Sequence, residues 1–290
     1  MNSATPKEAR RAVVQLTVLR ILVYAILIFL SILCLFSFVM LFINASRSNG
    51  QLQAGFTLIP GGHMLENFRN AWTDSSINIP RGLLNSFIVA ACTAVLTTYF
   101  SALTAYGFQA YDFKGKKFLF GFIMAIMVIP TQVSASGFVQ ICYKFGLTNN
   151  YWVLILPGVA APIVFFYIKQ YMESNLPMEI VDAARVDGCG EFRTFNFIIL
   201  PMLKPALAVQ LIFSFVQSWN NYFLPSLLLT KAEMKTVPIM IAQLRSADYS
   251  KFDMGKVYMF ILLAILPVLV VYILLSKSII RGVTAGSVKG

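Results

Sequence analysis

The sequence predicts an all-α, polytopic membrane protein with six transmembrane helices, and three observations carry that prediction. Of its 290 residues, 58% are apolar and only 12% are charged, with a mean hydropathy of +0.74, against roughly 45–50% apolar and 25% charged in a soluble domain. Six windows contain no Asp, Glu, Lys or Arg, and each reaches the ~20 residues that a spanning helix needs. The basic residues gather in short groups between these windows, the pattern that fixes membrane orientation.

The windows run 21–46, 82–111, 118–143, 145–168, 205–230 and 257–276. Residues 1–20, with Lys7, Arg10, Arg11 and Arg20, form a cytoplasmic N-terminus. The first window, 21–46, is too long for a cleaved signal peptide and no A-x-A site follows it, so it reads as a retained anchor. Segment 47–81 is external; it holds Gly50, Gly55, Pro60, Gly61 and Gly62, then Met64, Leu65, Phe68, Ala71 and Trp72 at the spacing of a short amphipathic helix. Segment 82–281 forms a five-helix core with a cytoplasmic loop at 169–204 and an external loop at 231–256, and 282–290 is a cytoplasmic tail. Fourteen of the 23 basic residues fall on the side assigned to the cytoplasm, among them Lys114, Lys116, Lys117, Lys169, Arg185, Arg193 and Lys204.

Several function classes are excluded by what the chain lacks. The net charge of +11 is spread between membrane windows rather than interleaved with aromatics along a groove, which argues against nucleic acid as a partner. Cys34, Cys92, Cys142 and Cys189 form no CxxC pair and read as small buried side chains, and His63 is the sole histidine, so neither a metal centre nor a Ser-His site has its parts. Ionisable side chains are missing from the windows themselves, which disfavours proton-coupled transport.

Pro130, Pro157, Pro162, Pro225 and Pro267 lie inside windows, where each can kink a helix toward a cavity. In the fifth window Gln210, Ser214, Gln217 and Asn221 recur on one helical face beside Ser218, Trp219, Asn220 and Tyr222. Such a face must meet another helix or a water-filled path. For a solute path, the candidates are Gln217, Trp219, Asn220, Asn221 and Tyr222.

The loop 169–204 is too structured in its pattern to be an idle connector. Asn175 is placed to cap a helix starting near Leu176 and Pro177, whose inner face carries Met178, Val181, Ala184 and Arg185. Gly188 and Gly190 turn the chain, and a second helix from Glu191 presents Phe192, Phe195 and Ile199 before Pro201. The small Ala183 and Ala184 would let another protein approach closely.

The segment VDAARVDGCGEFRTFNFIILPMLKPAL resembles the EAA loop of permease subunits in binding-protein-dependent ABC importers, through Asp182, Ala183, Ala184, Asp187, Gly188, Ile198, Leu200 and Pro201. Asp182 stands where that family usually has Glu. GLTNNYWVLILP, SWNNYFLP, TVPI at 236–239 and the terminal RGVTAGSVKG resemble the carbohydrate-uptake, maltose-transporter-like branch.

The resemblance implies a type I ABC importer permease fold and transport of an oligosaccharide or sugar derivative in a bacterial cell membrane, with both termini cytoplasmic. The alternatives are an ABC permease for a non-sugar solute, because the EAA loop is shared across solutes, and a six-helix intramembrane enzyme or assembly factor, for which no nucleophile-base pair or metal cluster speaks. It implies four partners: a second homologous permease, an ATPase dimer, an external solute-binding protein and the sugar. No cofactor is expected on this chain, which lacks a GxxxxGK[ST] loop; ATP and Mg belong to the partner ATPase. By the same resemblance, Asp182, Ala183, Ala184, Asp187, Gly188 and Lys289 would couple to the ATPase, and Gln243, Arg245, Asp248 and Tyr249 would contact the binding protein.

Overall fold

A computed structural model describes residues 6–75, 77–246 and 253–287, and every regular element among them is helical. Four helices are long and apolar enough to cross a bilayer: Val14–Ala45, Ile79–Ala110, Trp152–Asn175 and Met254–Ser276. Two bent pairs, Lys116–Ile126 with Thr131–Lys144 at 92° and Glu191–Met202 with Lys204–Trp219 at 83°, raise the number to six when each counts as one span. All six uncharged windows overlap these segments, although residues 145–151 of the fourth and 220–230 of the fifth lie outside them. The sharp breaks inside two of them are what hydropathy did not reveal.

The chain divides into two units, residues 1–71 with 250–262 and residues 72–249 with 263–290. In the first unit, α1 (Pro6–Ala45) is apolar and outward-facing around its described circumference, the pattern of a helix solvated by lipid. It begins well before residue 21, because Arg and Lys are good helix formers and a charge does not end a helix. A capping box between Ser48 and Gln51 starts α2 (Asn49–Gln53). The amphipathic helix expected around Met64 is present as α3 (Met64–Trp72). Its buried Asn67 donates to the carbonyls of Ala45 at 2.8 Å and Arg47 at 2.9 Å, satisfying acceptors that the end of α1 leaves over.

The second unit is organised on α4 (Ile79–Ala110), started by Asn78, whose Oδ1 accepts from the Arg81 amide. Then come α5 (Lys116–Ile126) and α6 (Thr131–Lys144), separated by the 92° break at Pro130. Next is α7 (Trp152–Ile155), which runs into a 3-10 turn at Leu156–Val159 containing Pro157, and α8 (Pro162–Asn175) follows. Pro130, Pro157 and Pro162 thus mark real interruptions, whereas Pro225 lies inside the short helix Phe223–Leu228 and Pro267 inside the continuous last helix.

α9 (Glu179–Val186) and α10 (Glu191–Thr194) are joined by a glycine turn. A π-helical turn at Phe195–Ile199 leads into α11 (Leu200–Met202) and α12 (Lys204–Trp219). After α13 (Phe223–Leu228) come α14 (Val237–Ser246) and α15 (Met254–Ser287). Residues 282–287, expected as a tail, are therefore helical.

α4 is packed between α8 and α12 and also meets the turn after α7. Its buried face is built from Ser86, Ala90, Ala94, Thr97, Thr98, Ser101, Ala102 and Ala105. Small residues replace bulk here because helices in lipid gain nothing by hiding apolar area and must gain by close packing. The tightest approach is Gly158, whose carbonyl accepts from Thr97 Oγ1 at 2.7 Å. Of the four cysteines, Cys142 is buried and Cys189 half-buried, whereas Cys34 and Cys92 face outward. The expectation that all four are buried fails for these two because a thiol is apolar enough to face lipid.

A Cβ on Gly158 would lie 2.7 Å from Thr97 Oγ1 and 2.9 Å from Thr93 Cγ2. Gly158→Ala is expected to destabilise the protein by about 1–3 kcal/mol, read as a lower melting temperature in detergent. At Gly82 the same added atom would meet only the flexible end of Met240, so Gly82→Ala should shift the melting temperature less.

Candidate functional site

The loop between α8 and α12 forms a platform whose inner face is fixed by apolar burial. Val181 on α9, with Phe195 and Ile199 in the π turn, belongs to one core cluster with Ala102, Tyr106 and Phe108 of α4 and Ile168 and Met172 of α8. The predicted inner face of α9 is confirmed for Val181 and Ala184. Ala184 is therefore not available to a partner, and Ala183 is the alanine that faces outward. Asn175 does not cap the new helix; it ends α8, donating from Nδ2 to the Tyr171 carbonyl at 3.0 Å, and α9 starts later, at Glu179, without a side-chain cap. Pro177 accounts for the delay, since it disfavours helical backbone at Leu176.

At the C-terminal end of α9 the Cys189 amide donates to Ala184 O at 2.9 Å and the Gly188 amide to Arg185 O at 3.0 Å. This pair of bonds is a Schellman ending, which places Gly188 in left-handed backbone, and its φ is +73°. Gly190 is different: at φ −66° it needs no glycine, and it serves as the residue before α10.

A polar clamp then joins the platform to the end of α4. Arg185 donates from Nε to Glu191 Oε1 at 2.8 Å and from Nη2 to the Ala110 carbonyl at 3.3 Å, and its guanidinium lies 5.4 Å from the centre of the Tyr111 ring. Tyr106 Oη donates to the other oxygen of Glu191 at 2.9 Å. The hydrogen bond to Glu191 holds Arg185 still more firmly in its charged form, and burial followed by the Glu191 contact pushes the Tyr111 phenol up. Sequence reading placed Arg185 on the inner face but gave no sign of Tyr106, Tyr111 or Ala110 as its partners, because they lie some 75 to 80 residues away in the chain.

Asp182, Ala183, Val186 (88% exposed), Asp187 and Phe192 (70% exposed) face outward from this platform. Asp182 reaches Arg185 Nη1 at 3.4 Å. Five of the proposed coupling residues thus lie on one short loop, with Ala184 alone turned inward, and the sixth, Lys289, lies outside the described residues.

The second candidate region differs from its expectation. α12 ends at Trp219, so the four-residue polar stripe is interrupted and Asn221 leaves the helical face. Gln210 and Ser214 are buried, whereas Gln217 is exposed. Trp219 is only 3% exposed and stacks on Phe215 at 5.7 Å, so Tyr222, at 48%, is the aromatic ring of this group that can meet a solute. The break costs carbonyls their helical partners, and the far end of α13 is closed by groups from a distant loop. Asn149, at φ +56°, accepts on Oδ1 from the amides of Thr230 at 2.7 Å and Lys231 at 2.8 Å, and its own amide donates to Leu228 O. Tyr143 Oη donates to Leu227 O. Sequence reading quoted the stretch around Asn149 without seeing this role.

The loop after α13 is held to the start of α4. Asn85 Nδ2 donates to the carbonyls of Glu233 and Lys235, and the Val237 amide donates to Ser86 Oγ at 2.8 Å. Gln243 lines a cavity of about 470 Å³ here with Asn78, Arg81 and Glu233. Arg245 lies near the end of α14, while Asp248 and Tyr249 fall outside the described residues.

The described residues thus form a polytopic helical membrane protein whose outward-facing, acidic and alanine-bearing loop is locked onto its central helix. Residues 97–279 match the family described as binding-protein-dependent transport system inner membrane component, and the chain belongs to that family. It is 33% identical over 282 residues to the arabinooligosaccharides transport system permease protein AraQ of Bacillus subtilis (strain 168), covering 95% of this chain and 98% of that one. It is 30% identical over 274 residues to the trehalose/maltose transport system permease protein MalG of Thermococcus litoralis, covering 93% and 97%. The crystal structure of a bacterial ABC transporter involved in the import of the acidic polysaccharide alginate contains a chain of the same fold, with a TM-score of 0.74 and 18% identity over 96% of this chain and 99% of that one. The protein is thus a multi-pass permease subunit and not an enzyme.

If the clamp works as one unit, Arg185→Gln and Glu191→Gln should each raise protease cleavage between residues 186 and 190 severalfold, since either change leaves the other side chain without its charged partner. The double variant should be little worse than either single one. Additive effects would show that the two side chains act separately.

Proposed function

We propose that this chain is one permease half of an ABC importer that moves an oligosaccharide or sugar derivative across a bacterial cell membrane, with both termini in the cytoplasm. The observation that supports this reading best is the α9 platform. Asp182, Ala183, Asp187 and the turn at Gly188 offer a docking face to an ATPase, while Arg185 and Glu191 tie the same loop to α4. A displacement of α9 would then be passed to the helix around which the second unit packs, because a packed element moves as a body.

The ATPase dimer would hold the ATP and Mg, and a second homologous permease would complete the pathway. Gln217, Asn220, Asn221 and Tyr222 at the break after α12 would face the sugar, with amides and a phenol for its hydroxyls and one aromatic face for its ring. Gln243, Arg245, Asp248 and Tyr249 would meet the external solute-binding protein, and Lys289 would reach the ATPase interface. The sugar assignment rests on the oligosaccharide relatives and on this amide-rich break.

The platform reading is tested at Gly188 in a reconstituted complex. Gly188→Val places a β-branched residue in left-handed backbone, a cost of about 1–2 kcal/mol, and should abolish solute-stimulated ATP hydrolysis while the chain still inserts. Gly188→Asn, which tolerates that backbone, should retain most of it. Equal activity in both variants would remove the turn from coupling.

The solute class is tested by offering the complete importer, with its binding protein, neutral oligosaccharides beside amino acids and inorganic phosphate. Stimulation of ATP hydrolysis by oligosaccharides alone is the expected result. Cysteine placed at Asn220 or Tyr222 should react with a small aqueous thiol reagent and be protected by the sugar, whereas cysteine at Trp219 should react at least tenfold more slowly because the site is buried, about the effect of 1.4 kcal/mol on an opening equilibrium.

A further inference from the structure

Where α4, α5 and α8 come together, a cavity of about 510 Å³ is lined by Lys116, Lys117, Lys169, Asp112, Phe113 and Phe120 among others. Phe120 packs against the apolar cluster beneath the α9 platform, but the charged residues of this cavity belong neither to the platform nor to the break after α12. Lys169 is only 9% exposed, lies 5.0 Å from the centre of the Phe120 ring and pairs with Glu173. Lys116 donates to the Tyr111 carbonyl at 2.8 Å and stands 3.6 Å from the fully exposed carboxylate of Asp112. Lys117 is exposed at the mouth, and Lys114 is exposed on the adjoining turn.

The charge of the cavity is therefore positive after its acids are counted: Asp112 and Glu173 face Lys116, Lys117 and Lys169. α5 adds to it, since its first turn carries two lysines, no acid and no side-chain cap, leaving the positive end of the helix dipole open. Directly beyond the lysines α5 becomes wholly apolar, with Phe118 and Phe122 facing outward. A cationic cavity thus opens at the level where a lipid-facing helix begins.

We propose that this cavity binds the phosphate headgroup of an anionic phospholipid, with Lys116 and Lys117 on the phosphate, Lys169 closing the inner wall and the acyl chains lying along Phe118 and Phe122. The headgroup meets the basic pocket and the chains meet the apolar face, so both halves of one amphiphile are matched. Basic residues at a membrane surface attract anionic lipid by about 1 kcal/mol each.

The test is lipid retention by the purified full-length chain in detergent, measured by native mass spectrometry with equal phosphatidylglycerol and phosphatidylcholine. The wild-type chain should keep phosphatidylglycerol in preference. Lys117→Gln should cut that preference about fivefold and Lys116→Gln with Lys117→Gln about 25-fold, if each lysine contributes about 1 kcal/mol; Lys231→Gln, an exposed lysine elsewhere, should leave it unchanged. An unaltered preference in the double variant overturns the proposal. Glycerol 3-phosphate is the second arm: failure to displace phosphatidylglycerol supports a lipid site, while displacement at comparable concentration assigns the cavity to soluble phosphate esters and overturns it. Because no transport is measured, the outcome is independent of which solute the importer carries.

Discussion

One guanidinium fixes how the loop between α8 and α12 is held against the end of α4. Arg185 binds Glu191 across the Gly188 turn and the Ala110 carbonyl at the end of α4, and Tyr106 holds the other oxygen of the same carboxylate. Without these bonds the loop would rest on buried apolar side chains such as Val181, Phe195 and Ile199, which resist separation but set no angle, and on one further hydrogen bond, from Tyr99 Oη to Asn196 Oδ1 at 3.1 Å. Hydrogen bonds to a charged group are directional. The clamp therefore fixes orientation where the buried side chains fix only proximity, and the outward Asp182, Ala183 and Asp187 inherit that orientation.

The clamp has something firm to pull on because α4 is packed on several sides by residues that are small or hydroxylated. Close backbone approach, as at Gly158 and Thr97, replaces the hydrophobic gain that lipid cannot provide. The same economy governs the interruptions. Each proline break releases carbonyls that water cannot reach in a bilayer, and at the far end of α13 the Leu227 and Leu228 carbonyls are taken up by Tyr143 and the Asn149 amide from a distant segment. Among the described residues Asn67, Asn85, Thr97 and Tyr143 are spent on backbone carbonyls, whereas Gln217, Asn220 and Tyr222 face outward at the break.

The sequence by itself determined the class, the six apolar segments and the helix-turn-helix pattern of the loop between α8 and α12, because each of these depends on composition or on residues within a few positions of one another. Hydropathy needs only a window of about 20 residues, and the Gly188 turn needs only the five residues before and after it. The inner face of α9 was legible for the same reason, through Val181 and Ala184. Tertiary structure alone decided the rest. Whether Pro130 bends a helix by 92° or is absorbed, as Pro267 is, depends on neighbours that can accept the freed groups. Whether Trp219 offers its ring or buries it depends on Phe215 and on where α12 stops. Spacing alone put Arg185 on the inner face of α9, but Tyr106, Ala110 and Tyr111 come to the clamp from across the fold, and no local pattern encodes a partner that far away.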